Sequence, residues 1–207
     1  MKIQPPQVLL SLFLATLLFR LQPNAVAGDR ESTNSTTATS FIRTSCGTTL
    51  YPELCYTSLS RYANAIKQNP EQLAKVAISV SLSKARRMAA YVSNVSRQAD
   101  YGSDHRTAAA LHDCFTNFGD AVDEIRGSLK QMRQLGAAGA GSFRFQMANV
   151  QTWMSAALTD EDTCTDGFQD AVDSPLKTDV CNRVGKVKKF TSNALALVNS
   201  YAAQGTP

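Results

Sequence analysis

The sequence has few of the residues with which enzymes and metalloproteins do chemistry. Its 207 residues include only two histidines and one tryptophan. With His105 and His112 alone, a histidine-rich metal site is not expected. No two cysteines have the Cys-x-x-Cys spacing of a redox motif or a zinc site. The composition therefore predicts neither a cofactor nor a metal ion.

Segments that resemble catalytic motifs each lack an essential part. The Gly/Ala segment 136–141 has no Gly-Lys-Ser/Thr ending of a phosphate-binding loop. Ser142, which follows it, is not followed by the x-Gly of a nucleophile elbow. Residues 162–173 loosely resemble a calcium loop, but a cysteine stands at one ligand position. His112 and Cys114, two positions apart on a helix, point to different sides. We therefore predict no catalytic residue and no enzyme.

The sequence also lacks a large excess of charge of either sign. The chain has 21 Lys and Arg against 17 Asp and Glu, a formal net charge of +4. This excess is too small, and too evenly spread along the sequence, to predict nucleic-acid binding. The basic run of Lys186, Lys188 and Lys189 falls on a helical pattern and is interpreted as a solvated helix face.

The chain has one long apolar run, from Val8 to Phe19. The run is shorter than the about 20 apolar residues that a membrane-spanning helix needs, which disfavours a retained anchor. Lys2 precedes it and Ala25-Val26-Ala27 follows as a small-x-small cleavage site, so residues 1–27 are predicted to be a signal peptide that is removed. The remaining 180 residues (207 less 27) would be secreted, without membrane association. Loss of Lys2 and Arg20 would lower the net charge from +4 to +2.

The predicted secretion bears on two further features of the sequence, its sequons and its cysteines. The sequons at Asn34 and Asn94 are candidate glycosylation sites. Five cysteines should pair where they can in an oxidising compartment, which leaves one unpaired. Sequence alone does not choose among the fifteen ways (five choices of the free cysteine, three pairings of the rest). The short spacing from Cys46 to Cys55 favours a local bridge.

The pattern of apolar residues predicts helices and no strand. Residues 28–40 are polar without periodicity and predict a disordered lead-in. Residues 41–68 predict a helical hairpin. Asn69-Pro70-Glu71 is typical of a helix start, with Asn as the cap and Pro in the first turn. Four long helices joined by short links then predict an up-and-down four-helix bundle over residues 69–203.

Two of these bundle helices carry the most detailed predictions. In the first, apolar residues step by four and three and predict a buried seam: Leu111, Phe115, Phe118, Val122, Ile125, Leu129 and Met132. The next helix is predicted from Phe145 to Leu158. Thr159 with Asp162 is typical of a capping box and predicts a new short helix to about Val172.

A polar stripe lies on the first of these helices, away from the seam. Asp113, Asn117, Asp120 and Glu124 share one face, and Thr116 and Asp123 flank it. From spacing alone this stripe is interpreted as an ordinary solvated helix face.

Several blocks of residues 41–203 resemble the plant invertase/pectin methylesterase inhibitor family. Cys46 and Cys55 flank TTLYPEL, and the other blocks are AALHDCFTNFGDAVDEI (109–125), NVQTWMSAALTDEDTCTDGF (149–168) and TSNALALVNSYA (191–202). The resemblance implies an all-α fold, a four-helix bundle with an N-terminal helical hairpin. It also implies the bridges Cys46–Cys55 and Cys114–Cys164, which would leave Cys181 free.

The resemblance further implies an activity. Members bind pectin methylesterase or acid invertase in the apoplast or vacuole and block the active-site cleft in a reversible one-to-one complex. The positions that match the family's interface hold Asp120, Asp123 and Thr163, with Asn117 and Thr116 as further candidates. Thr116 stands where the family often has Glu. We expect a monomeric inhibitor in the cell wall that needs no cofactor.

The choice of target depends on a short motif. The invertase branch of the family carries Pro-Lys-Phe, whereas here the nearest string is Pro175-Leu176-Lys177. This favours pectin methylesterase, with acid invertase as the alternative. The alternative from another class is a secreted helical structural or ligand-binding protein, which would need a wide apolar pocket.

Overall fold

The computed structural model describes residues 28–98, 104–139 and 141–205. The chain divides into two compact units, residues 1–34 and 35–207. Of the first unit, residues 28–34 are described and are helical. The predicted signal peptide, residues 1–27, lies outside the described residues, as does the side chain of Asn34. No helix in the described part has the length and apolarity that crossing a bilayer requires.

The described residues form helices and no strand, which confirms the predicted all-α class. Three short segments come first: α1 (Gly28–Cys46), α2 (Pro52–Leu59) with a 3-10 turn (Ser60–Tyr62), and α3 (Ala63–Ile66). Four long helices follow: α4 (Pro70–Gln98), α5 (His105–Arg133), α6 (Phe143–Asp166) and α7 (Pro175–Ala203). Each long helix packs on the next, and α7 closes on α4. This is the predicted four-helix bundle.

Polar side chains cap the beginnings of the four bundle helices. Asn69 accepts a hydrogen bond from the backbone N–H of Gln72 at 3.0 Å. The same contact, to the N–H three residues on, is made by Asp104, Ser142 and Ser174 at 3.1 to 3.2 Å. Each cap satisfies an amide that has no partner within the helix. The helix starts are therefore encoded locally, and the predicted start at Asn69-Pro70 is found.

The predicted helix break at Thr159 is wrong, because α6 continues to Asp166. The Thr159 hydroxyl donates to the carbonyl of Ser155 at 3.1 Å, and the Thr163 hydroxyl donates to the carbonyl of Thr159 at 2.9 Å. Threonine in a helix satisfies its hydroxyl in this way without capping a new helix. Residues 167–174 form a connection of turns instead of the predicted short helix.

The segment expected to be a disordered lead-in is described as helix, since α1 begins at Gly28. Its serine and threonine residues favour helices only weakly. Within the second unit, however, Ala38, Ile42 and Cys46 recur every four residues and are buried in the main core. Tertiary packing of this stripe compensates for weak local propensity, which the composition of residues 28–40 did not indicate.

The helical hairpin formed by α1 and α2 is closed by a disulfide and is hydrogen-bonded to the bundle at its turn. Cys46 and Cys55 form one disulfide, across nine residues of sequence. The side chain of buried Asn193 on α7 accepts a hydrogen bond from the N–H of Tyr51 at 3.1 Å and donates one to its carbonyl at 3.0 Å. These contacts fix the turn of the hairpin against α7.

The predicted seam of α5 is buried with one exception. Its other six residues lie in the core, whereas Phe115 is 44 % exposed. At about 100° per residue, Phe115 lies at the edge of the apolar stripe. The expectation that Phe115 belongs to the core is therefore wrong, and its ring adds to the surface of α5.

A chain of polar side chains crosses the core between three helices. Glu161 on α6 is 0 % exposed and accepts a hydrogen bond from the Thr191 hydroxyl at 2.8 Å. Thr191 is in turn 2.8 Å from the hydroxyl of Ser81 on α4. The other carboxyl oxygen of Glu161 is buried without a hydrogen-bond partner in the described chain. Burial raises the pKa of Glu161 to about 8, so the group is protonated at neutral pH.

Candidate functional site

The surface formed by α5 and α6 is rich in acidic side chains, and we call it the acidic face. Each of the two helices carries four Asp or Glu residues. All five residues that the resemblance placed at an interface lie on these two helices. The acidic face consists of Asp113, Thr116, Asn117, Asp120, Asp123 and Glu124 of α5 with Trp153, Asp160 and Thr163 of α6.

A disulfide joins the two helices beneath this face. Cys114 and Cys164 are bridged, their Cα atoms are 4.1 Å apart, and both are fully buried. The structure thus contains both bridges that the resemblance implies, and Cys181 is free. Since Thr163 adjoins one bridged cysteine and Thr116 follows the other by two positions, the bridge limits how far these side chains move relative to each other.

Two carboxyl groups share a hydrogen bond across the boundary between α5 and α6. Glu124 and Asp160 interact side chain to side chain, which requires a proton between them. Partial burial first, then Asp160 and Asp120, raise the pKa of Glu124 to about 7. Burial and the charge of Asp120 also raise the pKa of Asp160. Like charges at this distance cannot all ionise together, so the acidic face holds a proton near neutral pH.

The remaining carboxylates of the face differ in their partners. Asp123 forms an ion pair with Arg126 one turn along α5. Asp120 is exposed and makes no hydrogen bond or ion pair with any residue in the described ranges. The negative charge of Asp120 contributes to the raised pKa values of Glu124 and Asp160. Asp120 is therefore free to accept hydrogen bonds from a partner.

The polar uncharged candidates are exposed or half-buried. Thr116 donates its hydroxyl proton to the carbonyl of His112 at 3.2 Å, and Thr163 donates to Thr159. Both hydroxyl oxygens keep lone pairs that a partner's donor can use. Asn117 is half-buried.

Two residues of the face were not identified from the sequence. Trp153 falls in the helix predicted from Phe145 to Leu158, where it is 37 % exposed and lies on Gly127 of α5. A Cβ atom at Gly127 would be only 3.3 Å from the Trp153 ring. Asp160 stands seven residues, about two helical turns, after Trp153 and so on the same side of α6. The spacing from Trp153 to Asp160 was the signal available in the sequence.

Other predicted sites were placed as follows. No group of three His, Cys, Asp or Glu residues in the described ranges could hold a metal ion. Cys181 is half-buried, and burial raises the pKa of its thiol, which lowers its reactivity. Asn94 is exposed on α4 and accepts a hydrogen bond from Arg97 at 2.5 Å. Its use for glycosylation stays a prediction.

Comparisons with known proteins agree on one family. The family model described as plant invertase/pectin methylesterase inhibitor matches residues 40–197. A protein of Daucus carota called 21 kDa protein is 43 % identical over 168 residues, which cover 81 % of this chain and 86 % of that one. Pectinesterase inhibitor 11 of Arabidopsis thaliana is 37 % identical over 198 residues, 95 % of this chain and 97 % of its own.

A solved structure supports the fold independently. The crystal structure of mutant form A of a pectin methylesterase inhibitor from Arabidopsis superposes with a TM-score of 0.58. The match covers 76 % of this chain and 95 % of the other, at 22 % sequence identity. At that identity the likeness speaks for the shared helical-bundle fold.

Proposed function

Because the chain belongs to the plant invertase/pectin methylesterase inhibitor family, we propose that it inhibits a pectin methylesterase through its acidic face. As a member of a family of inhibitors, the chain is not itself an enzyme. The observation that carries the choice of target is the match to Pectinesterase inhibitor 11 along 95 % of the chain. A match of this extent includes both helices of the acidic face.

The proposed mechanism is occlusion of the enzyme's substrate cleft by a rigid surface in a reversible one-to-one complex. The buried Cys114–Cys164 bridge supports this, because a surface that is already ordered loses little entropy on binding. Trp153 offers an exposed aromatic anchor, and Asp120 offers an unpaired carboxylate. Buried aromatic anchors surrounded by polar contacts are typical of protein interfaces.

The core and the disulfides bear on the alternatives. Large side chains such as Phe118, Phe168 and Met154 are fully buried between the helices in the described part of the chain. A filled bundle supports an inhibitor over a ligand carrier with a wide internal pocket. Two disulfides support the predicted secretion, since such bridges persist in oxidising compartments outside the cytosol.

The direct test is titration of the purified protein into a plant pectin methylesterase and, separately, into a cell-wall invertase. We expect loss of esterase activity that is complete near one equivalent, with invertase unaffected. Inhibition of invertase alone would overturn the proposed target. Inhibition of neither enzyme, with several isoforms between pH 5 and 7.5, would overturn the inhibitor function.

A further inference from the structure

Charge that is spread evenly along the sequence is segregated in three dimensions. Each of α4 and α7 carries five Lys or Arg residues and a single acidic residue. By contrast, α6 carries four acidic residues and one Arg, and α5 carries four residues of each sign. Since α4 and α7 pack on each other, this half of the bundle has an excess of positive charge, although Lys188 of α7 pairs with Asp162 of α6. The interpretation of Lys186 and Lys189 as an ordinary solvated face needs revision.

A groove of about 960 Å³ lies where the turn before α2 meets α4 and α7. Its floor is apolar and includes Leu50, Pro52 and Phe190. Leu50 is 71 % exposed, the largest such value among the exposed bulky apolar residues of the described chain. A contiguous apolar surface of this kind, open to solvent, is typical of a binding site. We call it the basic groove because of its rim.

Three lysines line the groove: Lys84, Lys186 and Lys189. The ammonium of Lys84 is 4.7 Å from the centre of the Phe190 ring, and that of Lys189 is 5.3 Å from the centre of the Tyr51 ring. None of the three forms an ion pair with a carboxylate in the described ranges. Glu53, the one carboxylate that lines the groove, is 4.0 Å from Arg43. Three lysines against one carboxylate leave an excess of positive charge beside an apolar surface, which favours an anionic ligand.

The other lysines of the same helices behave differently. Lys75, Lys177 and Lys188 each form an ion pair with a carboxylate. The unpaired state is thus confined to lysines that line the groove and is not general to α4 and α7.

The basic surface extends beyond the groove. A second groove is lined by Arg61, Lys84 and Arg87, and a third by Lys84, Arg183 and Lys186. All three grooves meet at Lys84, so their positive side chains are neighbours, although Arg183 pairs with Asp179, which also lines the third groove. A basic surface of this extent suits an extended polyanion better than a single small anion.

We propose that the basic groove binds an acidic polysaccharide, a galacturonan that retains part of its methyl esters. Its carboxylates would pair with the three rim lysines, while sugar C–H groups and ester methyls would pack on Leu50, Pro52 and Phe190. The choice of galacturonan rests on the proposed function, because pectin is the substrate of the target enzyme. The groove and the acidic face lie on different helices, so the inhibitor would be held on the polymer while its acidic face stays free for the enzyme.

The test is calorimetric titration of the full chain, expressed in a secreting host, with oligogalacturonides of defined methylation at low salt. We expect binding to partly methylated oligomers that weakens as salt is added. The variant K84Q/K186Q/K189Q should bind roughly tenfold more weakly, since each exposed charge contributes a fraction of a kcal/mol. L50S should weaken binding to partly methylated oligomers more than binding to unmethylated ones.

A matched control removes the same charge elsewhere: K130Q/R133Q/R144Q, on α5 and α6. Equal weakening by both triple variants would overturn the proposal in favour of diffuse attraction of polyanions. Absence of binding to any oligomer, or binding to anionic phospholipid vesicles in its place, would overturn it as well. Thermal unfolding of each variant checks that the fold is intact.

The proposal can fail separately from the proposed function. Direct binding of pectin methylesterase, measured without polysaccharide, should be unchanged in K84Q/K186Q/K189Q. A protein that binds oligogalacturonides but no esterase would leave the basic groove in place and refute the inhibitor function.

Discussion

The acidic face and the basic groove show two ways in which one bundle arranges charge. On the acidic face, Glu124 and Asp160 interact side chain to side chain, and the nearby charge of Asp120 helps to raise the pKa of both. At the basic groove, Lys84 and Lys189 stand over aromatic rings without carboxylate partners. A disulfide joins the two helices of the acidic face, whereas α4 and α7 have no covalent link in the described chain. A net charge of +4 therefore conceals two surfaces of opposite sign.

Removal of the disulfide beneath the acidic face should have the largest effect on the difference between the two regions. In C114A/C164A we expect a loss of about 4 kcal/mol in unfolding free energy, because the bridge closes a long loop in the unfolded chain. Inhibition should weaken with it, whereas oligogalacturonide binding should weaken less while the protein is folded. Denaturant unfolding measures the loss, and C181A is the control, expected to unfold like the parent. An unchanged midpoint in C114A/C164A would contradict the assignment.

The buried carboxyl group of Glu161 should make the stability of the folded protein depend on pH. The pKa of Glu161 is about 8 in the folded protein and near 4.5 when exposed. The folded state keeps the proton as pH rises while the unfolded chain releases it, so stability is full below about 4.5 and falls up to about 8. The expected slope is about 1.4 kcal/mol per pH unit, or about 3 kcal/mol from pH 5 to 7.

Denaturant unfolding at several pH values checks this slope. E161Q keeps the acceptor for Thr191 and cannot ionise, so its stability should vary much less between pH 5 and 8. Parallel pH profiles for the parent and E161Q would refute the role of Glu161.

The acidic face should lose function when its exposed charges are neutralised. In D120N/D123N we expect roughly tenfold weaker inhibition, a loss of 1 to 2 kcal/mol that is typical of exposed interface charges. The unfolding temperature should remain nearly unchanged, since Asp120 has no partner in the described chain and Asp123 forms a surface ion pair. D170N/D173N removes equal charge from the connection between α6 and α7 and serves as control. Equal inhibition by the parent and D120N/D123N would show that the acidic face is an ordinary solvated surface.

The smallest expected effect concerns the ring that lies on α5. G119A should stabilise α5 by about 0.5 to 1 kcal/mol, because alanine favours a helix and nothing lies within 4 Å of the added methyl group. G127A should gain less, because its Cβ would be 3.3 Å from Trp153 and the ring must move.

The fluorescence of Trp153 reports the movement without interference, as it is the only tryptophan of the chain. Its emission should shift in G127A and not in G119A. A shift of equal size in both variants would show that the ring does not rest on Gly127.

Features that depend on neighbouring residues in the chain were predictable. Asn69 and Ser174 precede prolines and cap helices through contacts three residues away. The apolar seam of α5 follows from spacing, apart from Phe115, which lies at the edge of the stripe and is 44 % exposed. The all-α bundle follows from four such helices joined by short links.

Most of the features that were missed depend on distant partners; the continuation of α6 through Thr159 is the exception. Thr159 resembles a cap in sequence, yet its hydroxyl is satisfied within α6. Residues 28–40 look disordered by composition, but they are helical and Ala38 packs into the core. Trp153 and Asp160 belong to the acidic face only because α6 packs against α5, about thirty to forty residues earlier in the chain.

The sequence by itself determined the helices, their order and the side chains available to cap and bridge them, because these depend on contacts within a few residues. Only the tertiary structure decided where the charges meet. Packing α5 against α6 crowds carboxyl groups until they share a proton, and packing α4 against α7 and the hairpin leaves three lysines unpaired over an apolar groove. Electrostatic interactions depend on distance and burial, and neither can be inferred from residues that lie far apart in the chain.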